Sequence, residues 1–150
     1  MTDIKRFADW AQLTTQARYT VAKSASARAK KFEPRLRAFV EIEHAVVAPS
    51  TNNSLAFLPY AAKDLFVGPK HRPKGGLADV LDFGLNGYAD VLRTLDDAGA
   101  CRVGYTAMTE LAYEPSGYNA VSTYPRNPWN LDLITGGSSS GNGEIGRAHV

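Results

Sequence analysis

Cysteine is nearly missing from this 150-residue chain, in which Cys101 stands alone. One thiol excludes an internal disulfide framework and a cysteine-based metal site, and it leaves a single candidate for any thiol nucleophile. Its surroundings, Ala100-Cys101-Arg102-Val103, read as strand, so a buried structural thiol is expected. Long apolar runs are missing too. Nothing approaches the roughly 18 to 20 consecutive apolar residues of a membrane span, and the opening Met1-Thr2-Asp3-Ile4-Lys5-Arg6 lacks the basic-then-apolar order of a signal peptide. A cytoplasmic protein with no membrane partner is expected. Charge of one sign is not in excess either: 17 Lys and Arg stand against 15 Asp and Glu. Arg28, Lys30 and Lys31 therefore read as the solvated face of a helix rather than a phosphate-binding stripe, and no nucleic-acid partner is expected.

What is present is the composition of an ordinary globular domain, 44% hydrophobic and 21% charged, long enough to bury a core. Ile4, Phe7, Ala8 and Ala11 recur at helical spacing, as do Ala22, Ala25, Ala29 and Phe32, which predicts two opening helices with Pro34 closing the second. Leu36, Ala38, Val40 and Ile42 alternate with Arg37, Phe39, Glu41 and Glu43, which predicts a half-buried strand over 36–42. The apolar run from Leu55 to Ala62 has strand length and delivers Lys63 at its end. Tyr88, Val91, Leu92 and Leu95 mark a helix stopped near Gly99, and Cys101 to Tyr105 reads as a strand. Strand, helix, strand in this order is the grammar of an α/β fold. From Tyr113 to Thr135, Pro, Gly, Asn and Ser oppose regular structure, and a connection this long is usually functional or disordered.

Gly136-Gly137-Ser138-Ser139-Ser140-Gly141 needs a chemical explanation, because tandem glycines let a backbone approach a ligand closely. A Walker A loop fails, since Gly141 is followed by Asn142 and Gly143 rather than Lys and a hydroxyl residue. Gly141 to Gly146 does satisfy G-x-G-x-x-G, but the chain has four residues left and cannot supply the rest of a dinucleotide-binding unit. Taken alone, the hexapeptide reads as a flexible linker. His44, His71 and His149 have no metal-ligand spacing, and a surface role is expected for each.

The hexapeptide has company. Leu58-Pro59-Tyr60-Ala61-Ala62-Lys63-Asp64, Thr106-Ala107-Met108-Thr109-Glu110-Leu111-Ala112, Asn127-Pro128-Trp129-Asn130 and Gly136 to Gly141 resemble the amidase-signature family in order and spacing, over about residues 36–143. The resemblance implies an α/β fold with a mixed β-sheet flanked by helices, of which this chain holds the N-terminal portion. It also implies hydrolysis of a carboxamide, on a small-molecule amide substrate and without cofactor or metal, by a Ser-Ser-Lys mechanism. By position Lys63 is the lysine and Ser138 the bridging serine, held by a cis peptide within a supporting motif of Gly136, Gly137, Ser139 and Gly141. The nucleophilic serine belongs roughly two dozen residues after Ser138, beyond Val150, so the chain itself is expected to be inactive. The alternative within the family is the A subunit of a tRNA-dependent amidotransferase, which works with partner subunits. An alternative outside it is a non-catalytic anion-binding module.

Elementary chemistry fits the lysine's role. A lysine acts as a base only when neutral, and lowering its pKa from about 10.4 to near 7 or 8 disfavours the charged form by roughly 3 to 5 kcal/mol. Burial supplies such a shift, and strand alternation turns Asp64 away from Lys63, so that it does not pair with the ammonium.

Two parts of the chain are expected to differ in origin. Residues 1–143 read as the opening of one amidase domain. Residues 144–150 do not: after Gly141 the resemblance asks for a small residue and an alanine-rich helix, whereas Gly143, Gly146, Arg147 and His149 build no apolar face. Glu144 to Val150 is also what the start of a common sequencing adapter encodes, so a non-native tail is expected.

Overall fold

The computed structural model describes residues 4, 6–43, 46, 49, 53–80, 84, 87–122 and 124–147. Its elements run α1 (Phe7–Ala11), α2 (Thr15–Leu36), β1 (Phe39–Ile42), β2 (Pro59–Lys63), α3 (Asp90–Asp97), β3 (Cys101–Thr106), a 3-10 turn (Glu110–Ala112) and α4 (Ser140–Arg147). The three strands form one sheet in the order β1-β3-β2, with β1 antiparallel to β3 and β2 parallel to it. It is a mixed sheet with helices against it, and α3 makes the crossover between the two parallel strands.

Two apolar clusters hold these layers together. Trp10 of α1, Ala22 of α2, Ala56, Phe57 and Cys101 form one, and the Trp10 indole N–H donates to Ser54 O at 3.0 Å. Ala62, Leu92 and Tyr105 form the other, joining β2, α3 and β3. Cys101 is buried as expected, and burial pushes its thiol above the ordinary range.

Three expectations about local structure are corrected. Helix α2 does not stop at Pro34 but continues to Leu36, with Pro34 inside its last turn at the cost of one hydrogen bond to the preceding turn. Termination comes from Arg37, which adopts the left-handed conformation (φ 56°) and donates its N–H to Glu33 O at 2.9 Å. Strand β1 therefore starts at Phe39 rather than Leu36. Its pairing with β3 is irregular between Phe39 and Glu41, which breaks the expected alternation and leaves Val40 37% exposed. The apolar run before Lys63 is strand only from Pro59, since 53–58 forms turns in which Phe57 has a positive φ.

Helix α4 begins inside the Gly/Ser hexapeptide and packs against β2 and β3. A Cβ at Gly141 would lie 2.2 Å from Ala38 O and 2.8 Å from Ala107 N, so only glycine permits this approach. One turn on, Glu144 is 2% exposed and its Oε1 has no hydrogen-bond partner. Burial and the nearby Glu33 carboxyl raise its pKa to about 7. The folded chain then holds this proton more tightly than the unfolded chain, so Glu144 costs stability increasingly as pH rises from 4.5 through about 7. Replacement by an apolar residue of similar volume removes a buried, unsatisfied group. Glu144→Leu should therefore stabilise the chain by about 1–2 kcal/mol near pH 8 and by clearly less near pH 5, read from urea unfolding at both pH values.

Candidate active site

Residues 106–109, the end of β3 and the three residues after it, are the frame on which the site is assembled. On one side Asp64 N donates to Thr106 O at 3.0 Å, which carries the β2 ladder one residue beyond Lys63. On the other, Thr109 N donates to Ser138 O at 3.0 Å and Gly141 N to Ala107 O at 2.9 Å. Two distant segments are thereby brought against the same four residues. Their side chains meet there: Lys63 Nζ donates to Ser138 Oγ at 2.7 Å. Partial burial of Lys63 pulls its pKa below the ordinary lysine value, and Asp64 points elsewhere, to His71, so no carboxylate opposes that shift.

The glycine pair is held as firmly as the serine. Gly136 N donates to Ser116 O at 3.0 Å and Gly137 N to Pro115 O at 2.7 Å, and the Gly137–Ser138 peptide bond is cis. A Cβ at Gly137 would stand 2.6 Å from Glu114 O, so the motif is clamped against the 114–117 turn. Ser140 is buried and donates to Ala107 O at 3.3 Å, as befits a residue that anchors the start of α4. Ser139 and Gly141 complete the first turn of that helix, where Gly143 N donates to Ser139 O.

The long segment after the 3-10 turn is organised by two buried asparagines. Asn119 donates to Gly76 O and Met108 O and accepts from Val121 N and Ser122 N. Asn127 donates to Ile134 O and accepts from Trp129 N. Leu111 and Ala112 both take left-handed φ values, 46° and 61°, where Leu111 N donates to Gly75 O at 2.7 Å. Beyond them Tyr113 and Trp129 are exposed, Tyr113 at 93%, while the rings of Tyr118 and Tyr124 pack on each other with centroids 5.2 Å apart. Tyr118, Tyr124, Leu131, Leu133, Ile134 and Thr135 line a cavity of about 530 Å³ immediately before Gly136.

The profile of the family described as Amidase matches residues 8–145. This chain belongs to the amidase family. It is 32% identical over 126 residues to the A subunit of glutamyl-tRNA(Gln) amidotransferase from Marinomonas sp., across 77% of this chain and 26% of that protein. It is 37% identical over 106 residues to Amidase 1 of Arabidopsis thaliana, across 67% of this chain and 25% of that protein. Its fold is similar to that of 6-aminohexanoate cyclic dimer hydrolase, with a TM-score of 0.82 at 22% identity, over 97% of this chain and 32% of the other. The chain spans about a quarter of the length of the curated relatives it matches.

Within this amidase-family fold, one expectation about site residues is corrected. His71 is not on the surface: it is buried, with Asp64 and Glu41 each 2.8 Å from one of its ring nitrogens. An isolated histidine with no metal-like spacing gives no sequence signal of such a position. His44 and His149 lie outside the described residues. Among the described residues no group of His, Cys, Asp and Glu is arranged to hold a metal ion, and no helix is long and apolar enough to cross a membrane.

The depressed Lys63 can be checked directly. In the folded chain ¹³C NMR at its Cε should give a titration midpoint below 10.5. Across the interval between that midpoint and 10.5 the unfolded chain binds more protons than the folded one, so stability rises with pH there. Lys63→Met should flatten that rise in urea unfolding, whereas an unchanged slope would show that Lys63 is not desolvated.

Proposed function

We propose that Lys63 and Ser138 are the base and the proton relay of a Ser-Ser-Lys hydrolase that splits a carboxamide into a carboxylic acid and ammonia or an amine. The observation that carries this reading is the 2.7 Å contact between Lys63 Nζ and Ser138 Oγ, made by residues 75 positions apart. Once neutral, Lys63 accepts the Ser138 proton, Ser138 Oγ accepts the proton of a second serine, and that serine attacks the amide carbon to form an acyl-enzyme. Water then releases the acid, with no cofactor or metal in the scheme.

The second serine belongs to sequence beyond the twelfth residue after Ser138, together with the amides that would stabilise the oxyanion. Loss of the nucleophile alone removes most of the rate in serine hydrolases. This chain is therefore an inactive opening portion of its parent enzyme.

Within the same chemistry, the parent is either a stand-alone amidase or the A subunit of an amidotransferase, where ammonia from glutamine is used by partner subunits. Glutamine dependence and copurification of partners separate these two. A non-catalytic anion nest is disfavoured, since the amides of Gly136, Gly137 and Gly141 are all spent on backbone carbonyls. A cytoplasmic address is part of the proposal, in keeping with one buried cysteine.

Residues 1–143 form the native part in this reading, and residues 144–150 a non-native tail. The support is Glu144, a buried carboxyl without a partner where a helix packed on a sheet takes a small apolar side chain. Amplifying the locus decides it: codons for Glu144 to Val150 followed by a genuine stop would refute the tail proposal.

For the catalytic reading, the 150-residue chain should show no turnover of a simple aryl amide. In the full-length parent, Lys63→Ala and Ser138→Ala should each lower kcat by about a hundredfold or more, and Ser140→Ala far less. Equal losses at Ser138 and Ser140 would mean that the wrong serine carries the relay.

A further inference from the structure

Lys63 and Asp64 are neighbours in sequence and point to different partners. Lys63 reaches Ser138, while the Asp64 carboxylate is fully buried, with Oδ1 2.8 Å from His71 Nε2 and accepting from Lys74 N at 3.2 Å. Asp64 Oδ2 has no partner. The other nitrogen of the same imidazole, Nδ1, lies 2.8 Å from Glu41 Oε2 on β1. The ring itself stacks on Tyr105 of β3, with centroids 3.6 Å apart and planes 10° from parallel. One side chain thus ties β1, the end of β2 and β3 together, directly behind the lysine.

A neutral imidazole has a single N–H and satisfies one carboxylate only, so two ionised carboxylates at 2.8 Å are both satisfied only when both nitrogens carry a proton. That use of both nitrogens leaves no lone pair for a metal. It also leaves none for proton transfer to a substrate, and neither nitrogen faces Ser138. We propose that His71, held as an imidazolium between Asp64 and Glu41, is a positioning residue for Lys63. It fixes the Asp64 carboxylate, and with it the Lys63–Asp64 peptide that aims the lysine side chain at Ser138. The proposal rests on the reading of Lys63 as the base, and it does not follow from the family resemblance.

The electrostatics agree with the geometry. Burial alone would lower the imidazole's pKa, but the hydrogen bonds and charges of Asp64 and Glu41 outweigh it and hold it above 6.5. The groups around the ring are Glu41 from β1, Asp64 and the Lys74 amide from the segment after β2, and Tyr105 from β3, whose ring the Arg102 guanidinium approaches at 5.1 Å. A folded-state value above the unfolded one means that the clamp is fully formed below 6.5 and is lost as pH rises through the folded value. On deprotonation the remaining proton stays on Nε2, because buried Asp64 has no access to water. Glu41, whose side chain is 51% exposed, turns to solvent instead, so the clamp opens on the β1 side, and the ring, with the Asp64 carboxylate bonded to it, loses its anchor on β1 and shifts the Lys63–Asp64 peptide.

The test is NMR on the 150-residue chain, following the His71 ring nitrogens and Lys63 Cε through a pH titration. Near pH 6.5 both nitrogens should be protonated, and Lys63 Cε should show a step at the His71 midpoint in addition to its own titration. Glu41→Gln changes an exposed residue and should leave the fold intact. It should lower the His71 midpoint, and the step at Lys63 should move down with it. A neutral His71 tautomer near pH 6.5, or a Lys63 signal with no step at the His71 midpoint, would overturn the proposal. Failure of the catalytic reading looks different: the full-length parent would keep its activity in Lys63→Ala while the coupling between His71 and Lys63 persisted.

Discussion

The backbone of residues 106–109 is the constraint on which the rest of this structure depends. Its carbonyls and amides are the shared partners of two segments far away in sequence, one before it and one after it: Asp64 N bonds to Thr106 O, Gly141 N to Ala107 O, and Thr109 N to Ser138 O. A buried strand end is otherwise a row of unpaired polar groups, which is costly. Here Thr106 O, Ala107 O and Thr109 N are satisfied by the two segments that carry Lys63 and Ser138, while Ala107 N donates to Ala38 O and Met108 O accepts from the Asn119 side chain, so pairing these three groups and assembling the site are one event. One side-chain oxygen takes part as well, since Thr106 Oγ1 donates to Ala62 O at 3.1 Å and bonds to the Asn142 side chain.

Close backbone approach is the condition for this arrangement, and glycine supplies it. Gly141 meets Ala38 O and Ala107 N, and Gly76, with φ 79°, brings the 75–76 turn against the Thr109 carbonyl. Neither contact tolerates a side chain. The lysine then sits in surroundings set by the strand rather than by a neighbouring charge. Desolvation favours its neutral form, and the one carboxylate next to it in sequence is engaged by His71. The same strand end that delivers the lysine therefore also keeps the neighbouring carboxylate away from it.

Much of this is legible in the sequence, for reasons that differ from element to element. Helix α3 and strand β3 follow from strong local signals, an apolar stripe ending at a glycine with φ 83° and a short apolar strand behind it. The meeting of Lys63 and Ser138 is legible only through the spacing of four motifs, because no periodicity links positions 75 residues apart. The end of α2 escapes a sequence reading because Pro34 does not end the helix, which runs on to Leu36 and stops where Arg37 turns left-handed. Strand β1 is shorter than its alternation suggests because α2 and its Arg37 cap take up the first residues of the alternating run, and an irregular pairing, which only its partner strand defines, breaks the alternation of the rest. His71 is invisible as a buried residue. Its position depends on Asp64, Glu41 and Tyr105 converging from three strands or strand ends, and nothing about a solitary histidine announces such a convergence.

The central claim is that the site and the end of β3 are one hydrogen-bonded unit. Native-state amide hydrogen exchange tests it most directly, at the N–H groups of Asp64, Thr109 and Gly141. The account predicts that all three are protected to the level of the β2–β3 ladder and lose protection together with it as denaturant is added. Exchange of Thr109 and Gly141 at the rate of an exposed loop, while the ladder stays protected, would show that the Gly/Ser segment is not held by β3 and would contradict the account.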